Sequence, residues 1–476
     1  MKTLLKFLVV SALLVVFGLT MFPLGNFTQA GNEQTYIVLY KQQTVPEDAS
    51  HTITEAGGEL VYSYDQIGVA IARSESDTFR QEIMRDKMVE NASSTSNFGV
   101  KLDDDFALEE FDEGAAIDLG TTSSDFDDPL TYLQWDMFQI QVPEAHAVTM
   151  GSPSVVVGDI DSGIDPYHPD LAANIDWARS ISCIGGVPNQ DPAAWEDNNG
   201  HGTHTAGTIA AAANGIGIIG VAPDVKIAAI KGCTDAGWCW PEDIVCSFMW
   251  AGDHDIDVTN NSYYVDPYEF NCHNDPEQHA IWKAVQRAVR YAQSQGVVVV
   301  SSTGNSNVDL THHEEEGITN ACNDLPVELA GVIGVSANGN LMQKSYYSSY
   351  GVGAVDVVAP GGDARFQLTE AAPNGRVLST IPTKYGSYGW GQGTSMASPH
   401  AAGVAALIIS QYGEMPPGRV QALINQTADP QECPVEFNPG PPFFWPAECQ
   451  GGEGYNSFYG HGQVNAYNAV THKAGN

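Results

Sequence analysis

Val155-Val156-Val157-Gly158-Asp159-Ile160-Asp161-Ser162-Gly163 is the stretch on which the fold turns. Its apolar residues run continuously instead of alternating with polar ones, which describes a strand covered on both faces inside a parallel sheet. It ends in a carboxylate and a glycine turn. Comparable strands are predicted at 154–160, 225–230, 256–262, 297–302 and 331–336, and helices at 201–213, 241–251, 277–295, 396–412 and 417–427. Strands alternating with helices predict an α/β fold of three layers around a mostly parallel central sheet. Sites in such sheets gather at the carboxyl ends of the strands, which is where Asp161 falls.

Two further segments carry chemistry. His201-Gly202-Thr203-His204-Thr205-Ala206-Gly207 opens a small-residue helix with a histidine. Gly393-Thr394-Ser395-Met396-Ala397-Ser398-Pro399-His400 sets one hydroxyl among small residues before an alanine-rich helical run. A serine hydroxyl is a weak nucleophile and needs an adjacent base, itself oriented by a third group. Asp161, His201 and Ser395 supply those parts in a chain order known for serine nucleophiles. His204 follows His201 by three positions, not the helical i, i+4 of a zinc pair, and is assigned to structure. Asp159 lies on the same strand face as Asp161, with its role open, and Asp165 reads as a turn residue.

These segments resemble the signatures of the subtilisin-like serine proteases, from roughly Asp128 to Ala466. Val297-Val298-Val299-Val300-Ser301-Ser302-Thr303-Gly304-Asn305 and Gly220-Val221-Ala222-Pro223 agree with the same family. The resemblance implies a serine endopeptidase, secreted, extracellular and self-processing, with catalytic Asp161, His201, Ser395 and Asn305, the last in an oxyanion hole. Its partners would be protein or peptide substrates. The substrate cleft would be lined by Ser262, Tyr263, Tyr264, Gly237, Trp238, Ser302, Thr303 and Gly304. The sequence departs from the family here, because Tyr263-Tyr264-Val265-Asp266-Pro267 stand where small residues are usual. Bulk at those positions puts the usual preference for large apolar side chains in doubt. The family also implies structural calcium, held by Asp170 and Asn214 with loop carbonyls and Asp128 as a third side chain, and no catalytic cofactor.

The organisation is predicted as a secretory signal at 1–30, an inhibitory propeptide at 31–95, an acidic linker with the processing site at 96–127, and the catalytic domain at 128–476. The signal rests on Lys2 and Lys6 before the apolar run Leu8–Leu19. The second segment, with strands at 36–40, 57–64 and 67–72 and a helix at 79–89, resembles the propeptides that act as intramolecular inhibitors in this family. Residues 91–127, rich in Ser, Thr, Asp and Glu, read as extended or disordered.

The chain has 476 residues and a net charge of −38, from 58 acidic against 20 basic residues, which disfavours nucleic acid and anionic membranes as partners. No stable membrane association is expected, and a monomer is. Eight cysteines in a secreted chain suggest disulfides, with Cys433–Cys449 and Cys233–Cys239 as local pairs; zinc is the alternative, though no CxxC occurs. His312-His313-Glu314-Glu315-Glu316 reads as a surface loop. Alternative functions are a narrow maturation protease for a dedicated precursor and a catalytically inactive binding scaffold. A metal-dependent hydrolase using Asp159 and Asp161 is disfavoured by Gly163.

Overall fold

The computed structural model describes residues 33–95, 128–266, 268–311, 318–438 and 447–475. The signal at 1–30, the linker at 96–127 and the 312–316 cluster lie outside the described residues.

The first unit is built from β1 (Gln34–Tyr40), α1 (Ala49–Glu55), β2 (Glu59–Tyr64), β3 (Val69–Ser74), α2 (Phe79–Ile83) and β4 (Val89–Ser94). Its sheet has the order β2-β3-β1-β4, antiparallel throughout. The helix predicted to reach Val89 ends at Ile83, and residues 91–94, predicted as linker, complete an edge strand. In β1 and β3 both sets of alternate residues are apolar. Tyr36, Val38, Ala70 and Ala72 pack on α1 and α2, while Ile37, Leu39, Val69 and Ile71 pack on the large domain. A sheet with two apolar faces needs a cover on each, and the second cover here is the large domain.

The large domain continues with α3 (Trp135–Gln139), α4 (Val142–His146), β5 (Val156–Asp161), β6 (Ile181–Ser182), α5 (Pro192–Trp195), α6 (His201–Ala210), β7 (Lys226–Lys231), α7 (Pro241–Asp253), β8 (Val258–Asn261) and β9 (Asn271–Cys272). Next come α8 (His279–Ser294), β10 (Val298–Ser302), β11 (Cys322–Asn323), β12 (Val332–Asn338), β13 (Val357–Pro360), β14 (Val377–Thr380) and β15 (Tyr388–Gly391). The chain closes with α9 (Thr394–Tyr412), α10 (Pro417–Thr427) and α11 (Ala466–Thr471). The central sheet has the order β13-β12-β10-β8-β5-β7-β6, and its neighbours all pair in parallel. Alternation along the strands divides the core in two. Val157, Ala229, Val258, Val300 and Val335 meet α6, α9 and α10, whereas Val156, Ile160, Ile230, Val299 and Val332 meet α7 and α8. The expected three layers are therefore present, and the first unit docks on the α7–α8 layer.

That docking is polar as well as apolar. Arg287 of α8 donates to the carbonyls of Tyr40 (3.0 Å) and Ile67 (2.9 Å), and to Glu90 (3.2 Å). The Tyr64 hydroxyl donates to the Gly186 carbonyl at 2.7 Å.

The eight cysteines form Cys183–Cys246, Cys233–Cys239, Cys272–Cys322 and Cys433–Cys449, leaving no thiol for zinc. Both locally guessed pairs are among them.

Candidate active site

Asp161 ends β5, and its side chain, like that of Asp159, points to the α6 face of the sheet. The Asp161 carboxylate meets His201 Nδ1 at 2.8 and 2.9 Å. His201 is the first residue of α6, and the sequence just before it explains why the helix starts there. Asp197 is fully buried and accepts from the backbone N–H groups of Asn199, Gly200 and Thr203 and from the hydroxyls of Ser162 and Thr203. It satisfies N–H groups that a helix start leaves without intrahelical partners. Ser162 in turn accepts from the Gly202 N–H at 3.0 Å, so the end of β5 and the start of α6 are bonded directly. Gly202 is required at this contact: a Cβ there would stand 2.2 Å from the Gly163 carbonyl oxygen.

The electrostatics follow from burial. Desolvation by itself lowers the pKa of His201, but contact with Asp161 and the fields of Asp159 and Asp197 outweigh it and hold the imidazole above its ordinary value. Burial, followed by the neighbouring Asp161, pushes Asp159 well above the carboxylate range. Asp159 accepts from Thr205 Oγ1 (2.7 Å) and Asn260 Nδ2 (2.9 Å). Asn260 Oδ1 then accepts from Ser398 of α9 at 2.7 Å. This relay from β5 through β8 to α9 fixes the helix carrying Ser395 against the strand carrying Asp161. It gives Asp159 a positioning role. The fully buried His204 is lowered to about 3, chiefly by desolvation, and so is neutral and structural, as expected. Asp165 caps its own turn and also holds Thr383, through its N–H at 2.9 Å and its hydroxyl at 2.8 Å.

Ser395 is the second residue of α9, and its side chain donates to the Ser262 carbonyl at 3.2 Å. Pro399 lies one turn further along. With no N–H to give, it leaves the Ser395 carbonyl without its helical donor, and Ser262 Oγ donates to that carbonyl at 3.0 Å. Ser262 and Ser395 are thus bonded reciprocally. Asn305 follows β10, and its Oδ1 accepts from the Thr394 N–H (2.8 Å) and hydroxyl (3.0 Å). With its acceptor engaged, the amide is oriented and Nδ2 is the group left to donate.

Ser395 and Asn305 both line a cavity of about 230 Å³. Of the residues predicted for the substrate cleft, Ser262, Tyr263, Tyr264, Gly237, Ser302 and Gly304 line it as well. Two predicted cleft residues do not. Thr303 is fully buried, with its hydroxyl on the Ser349 carbonyl at 3.0 Å, and Trp238 stacks on Trp240 with ring centroids 5.6 Å apart. The bulk of Tyr263 does not fill the cleft either. Its ring packs into the core beneath the sheet, and its hydroxyl donates to Asn261 at 2.9 Å. Sequence reading missed Asp266, Glu269 and Asp324 on the cavity wall. It also missed Asp197, whose place before Asn198-Asn199-Gly200 at a helix start was the available signal.

Asp128, Asp170 and Asn214 come together around the 212–218 loop. Asp128 accepts from the N–H groups of Asn214 (3.2 Å) and Gly215 (2.7 Å), and Asp170 accepts from Asn214 Nδ2 (3.3 Å), the Ile218 N–H (3.1 Å) and the Tyr388 hydroxyl (2.8 Å). Desolvation raises Asp170 to about 6 against these bonds. Two carboxylates, an amide and loop carbonyls are the oxygen donors a hard cation takes, so the residues fit calcium in kind.

A serine, an oriented imidazole and an amide donor at the carboxyl ends of a parallel sheet are the parts of a serine-type hydrolytic site. Comparison with known sequences narrows this. The profile described as "Subtilase family" matches residues 152–462, and the chain belongs to that family of serine proteases. It is 34% identical over 274 residues to M-protease of Shouchella clausii, an alignment spanning 58% of this chain and 59% of that protein's length. It is 28% identical to subtilisin NAT of Bacillus subtilis subsp. natto over 403 residues, 84% of this chain and 86% of the relative. Among solved structures, the epidermin leader peptide processing serine protease of Staphylococcus aureus shares the fold, with a TM-score of 0.70 and 22% identity across 92% of this chain and 98% of that one. A lanthipeptide protease matches with a TM-score of 0.57 and 28% identity, over 72% of this chain and 94% of its own.

Proposed function

We propose that the protein is a secreted, self-processing serine endopeptidase acting through an acyl-enzyme. The observation that carries this reading is the contact of Asp161 with His201 Nδ1 at 2.8 Å, on the same end of the sheet as Ser395. Ser395 Oγ attacks the scissile carbonyl while His201 Nε2 takes its proton. Asp161 holds the Nδ1–H tautomer and stabilises the imidazolium. Asn305 Nδ2 and the Ser395 N–H receive the developing oxyanion. His201 then protonates the leaving amine, and water repeats the sequence on the ester.

Residues 31–95 are proposed as the propeptide, with processing within 96–127. The apolar face shared with the large domain and the Arg287 contacts support that assignment. The narrower reading, a maturation protease for a dedicated precursor peptide, draws on the likeness to a lanthipeptide protease and on a cavity whose walls differ from the apolar pocket usual in the family. A calcium ion is proposed at Asp170 and Asn214, with Asp128 clamping the loop. It would neutralise the buried carboxylate, and excess chelator is expected to lower Tm by about 5 °C. No helix among the described residues is long and apolar enough to cross a membrane.

The test is intact mass of wild type beside Ser395→Ala, each then given unfolded casein and a leader-bearing precursor peptide. Wild type should lose its N-terminal segment and cleave at least one substrate, and the variant should do neither. A Ser395→Ala protein that is still processed and active would overturn the assignment. Precursor cleavage without casein digestion would select the narrower reading.

A further inference from the structure

The cavity beside Ser395 is acidic, and one of its carboxylates has no hydrogen-bond donor or counter-ion among the described residues. Asp324 is 3% exposed and lines the cavity. Among the described residues, no N–H or O–H donates to its carboxylate, although its own N–H donates to Glu328 at 2.5 Å. A buried carboxylate without a hydrogen bond or counter-ion is costly to ionise, and a cation brought into the same cavity would offset that cost. Glu269, half-buried on the same wall, adds to the negative field instead of relieving it. Asp266 is already engaged by the Cys239 N–H at 2.5 Å, which fixes that side of the wall to the Cys233–Cys239 loop.

The placement is as specific as the charge. Asp324 Oδ2 lies 3.6 Å from where a Cβ on Gly304 would stand, and Gly304 precedes the oxyanion donor Asn305. Gly304 has φ of +89°, a backbone conformation that glycine adopts without strain, and with no side chain it keeps the path to Asp324 clear. A carbonyl held between Ser395 and Asn305 therefore places the side chain of its own residue in this cavity. At about 230 Å³, the cavity has room for more than a single water and can admit a side chain.

We infer that this cavity selects a cationic side chain, arginine or lysine, on the residue whose carbonyl is attacked, with Asp324 as the charge partner and Glu269 as a supporting carboxylate. The inference rests on the proposed peptidase reading and names the substrate class of that same site. Desolvation followed by the field of Glu269 raises the Asp324 carboxyl well above its usual range, and a guanidinium in the cavity would reverse that.

The test measures kcat/KM of wild type, Asp324→Asn and Glu269→Gln on peptides differing only in arginine, lysine or phenylalanine at that position. Fluorescence titration of wild type and Asp324→Asn with p-aminobenzamidine accompanies it. Arginine or lysine should exceed phenylalanine by about 10²-fold in wild type. Asp324→Asn should erase most of that ratio, Glu269→Gln should reduce it less, and benzamidine affinity should fall in parallel at Asp324→Asn. Turnover of phenylalanine at or above arginine in wild type would overturn the inference and leave the peptidase reading intact. A basic preference that survives Asp324→Asn would also overturn it. If no peptide is cleaved, the peptidase reading fails, and benzamidine binding that is absent or indifferent to Asp324→Asn then overturns the cavity inference by itself.

Discussion

Buried carboxylates lie on two sides of Ser395, and Asp324 on the cavity side is treated unlike the three on the His201 side. Asp159, Asp161 and Asp197 are fully buried but supplied with donors: a threonine and an asparagine for the first, His201 for the second, and three N–H groups with two hydroxyls for the third. Asp324 is nearly as buried and receives none among the described residues. Burial costs a carboxylate in both places, so the difference lies in where compensation comes from. On the His201 side the chain supplies it and gains rigidity. On the cavity side it is left to whatever binds, which converts the cost into selectivity.

The largest expected effect tests the supplied side. Asp161→Asn should lower kcat by about 10⁴-fold while the protein stays folded, a magnitude borrowed from measured serine-protease triads, subtilisin included. A loss below tenfold in single-turnover assays would break the contrast at its catalytic end. Next comes stability, measured by urea unfolding in the Ser395→Ala background to prevent autolysis. Asp197→Ala strands several buried donors and should cost about 3 kcal/mol, whereas Asp324→Asn should cost less than about 0.5 kcal/mol. Equal losses would mean that Asp324 is as integral to the fold as Asp197. The smallest effect is a shift along the pH axis. His201 must be neutral to accept a proton, and its pKa is raised, so activity is present at higher pH and lost as pH falls through the raised value. The acid limb of kcat/KM should therefore centre above 6.5, the ordinary imidazole value, and move down in the residual activity of Asp161→Asn.

The supplied side was the more legible in sequence. Val/Ile runs between helices are strong signals, and β5, β7, β8, β10 and β12 each fall within one or two residues of expectation. Asp161, His201 and Ser395 sit at the termini of such elements, so their convergence followed from the layer order. β4 was misread because Val89-Glu90-Asn91-Ala92-Ser93-Ser94 is too polar to look like a strand, and its place is set by pairing with β1. The cavity side was hidden for another reason. Asp266, Glu269 and Asp324 come from loops whose meeting depends on the β9–β11 pairing and the Cys272–Cys322 bond, neither of which local periodicity encodes. Tyr263-Tyr264 looked like obstruction because sequence gives size without direction, and the Tyr263 ring turns inward.

Pro399 bears on how Ser395 responds to heat and strain. Because the proline withholds its N–H, the carbonyl of Ser395 is moored to Ser262, just past the carboxyl end of the central strand β8, and not to the next turn of α9. Mechanically the serine is a passenger of β8 riding on the first turn of a helix. Fraying or bending of α9 beyond Pro399 would then dissipate at that joint before reaching the hydroxyl, whose position is set by the central sheet.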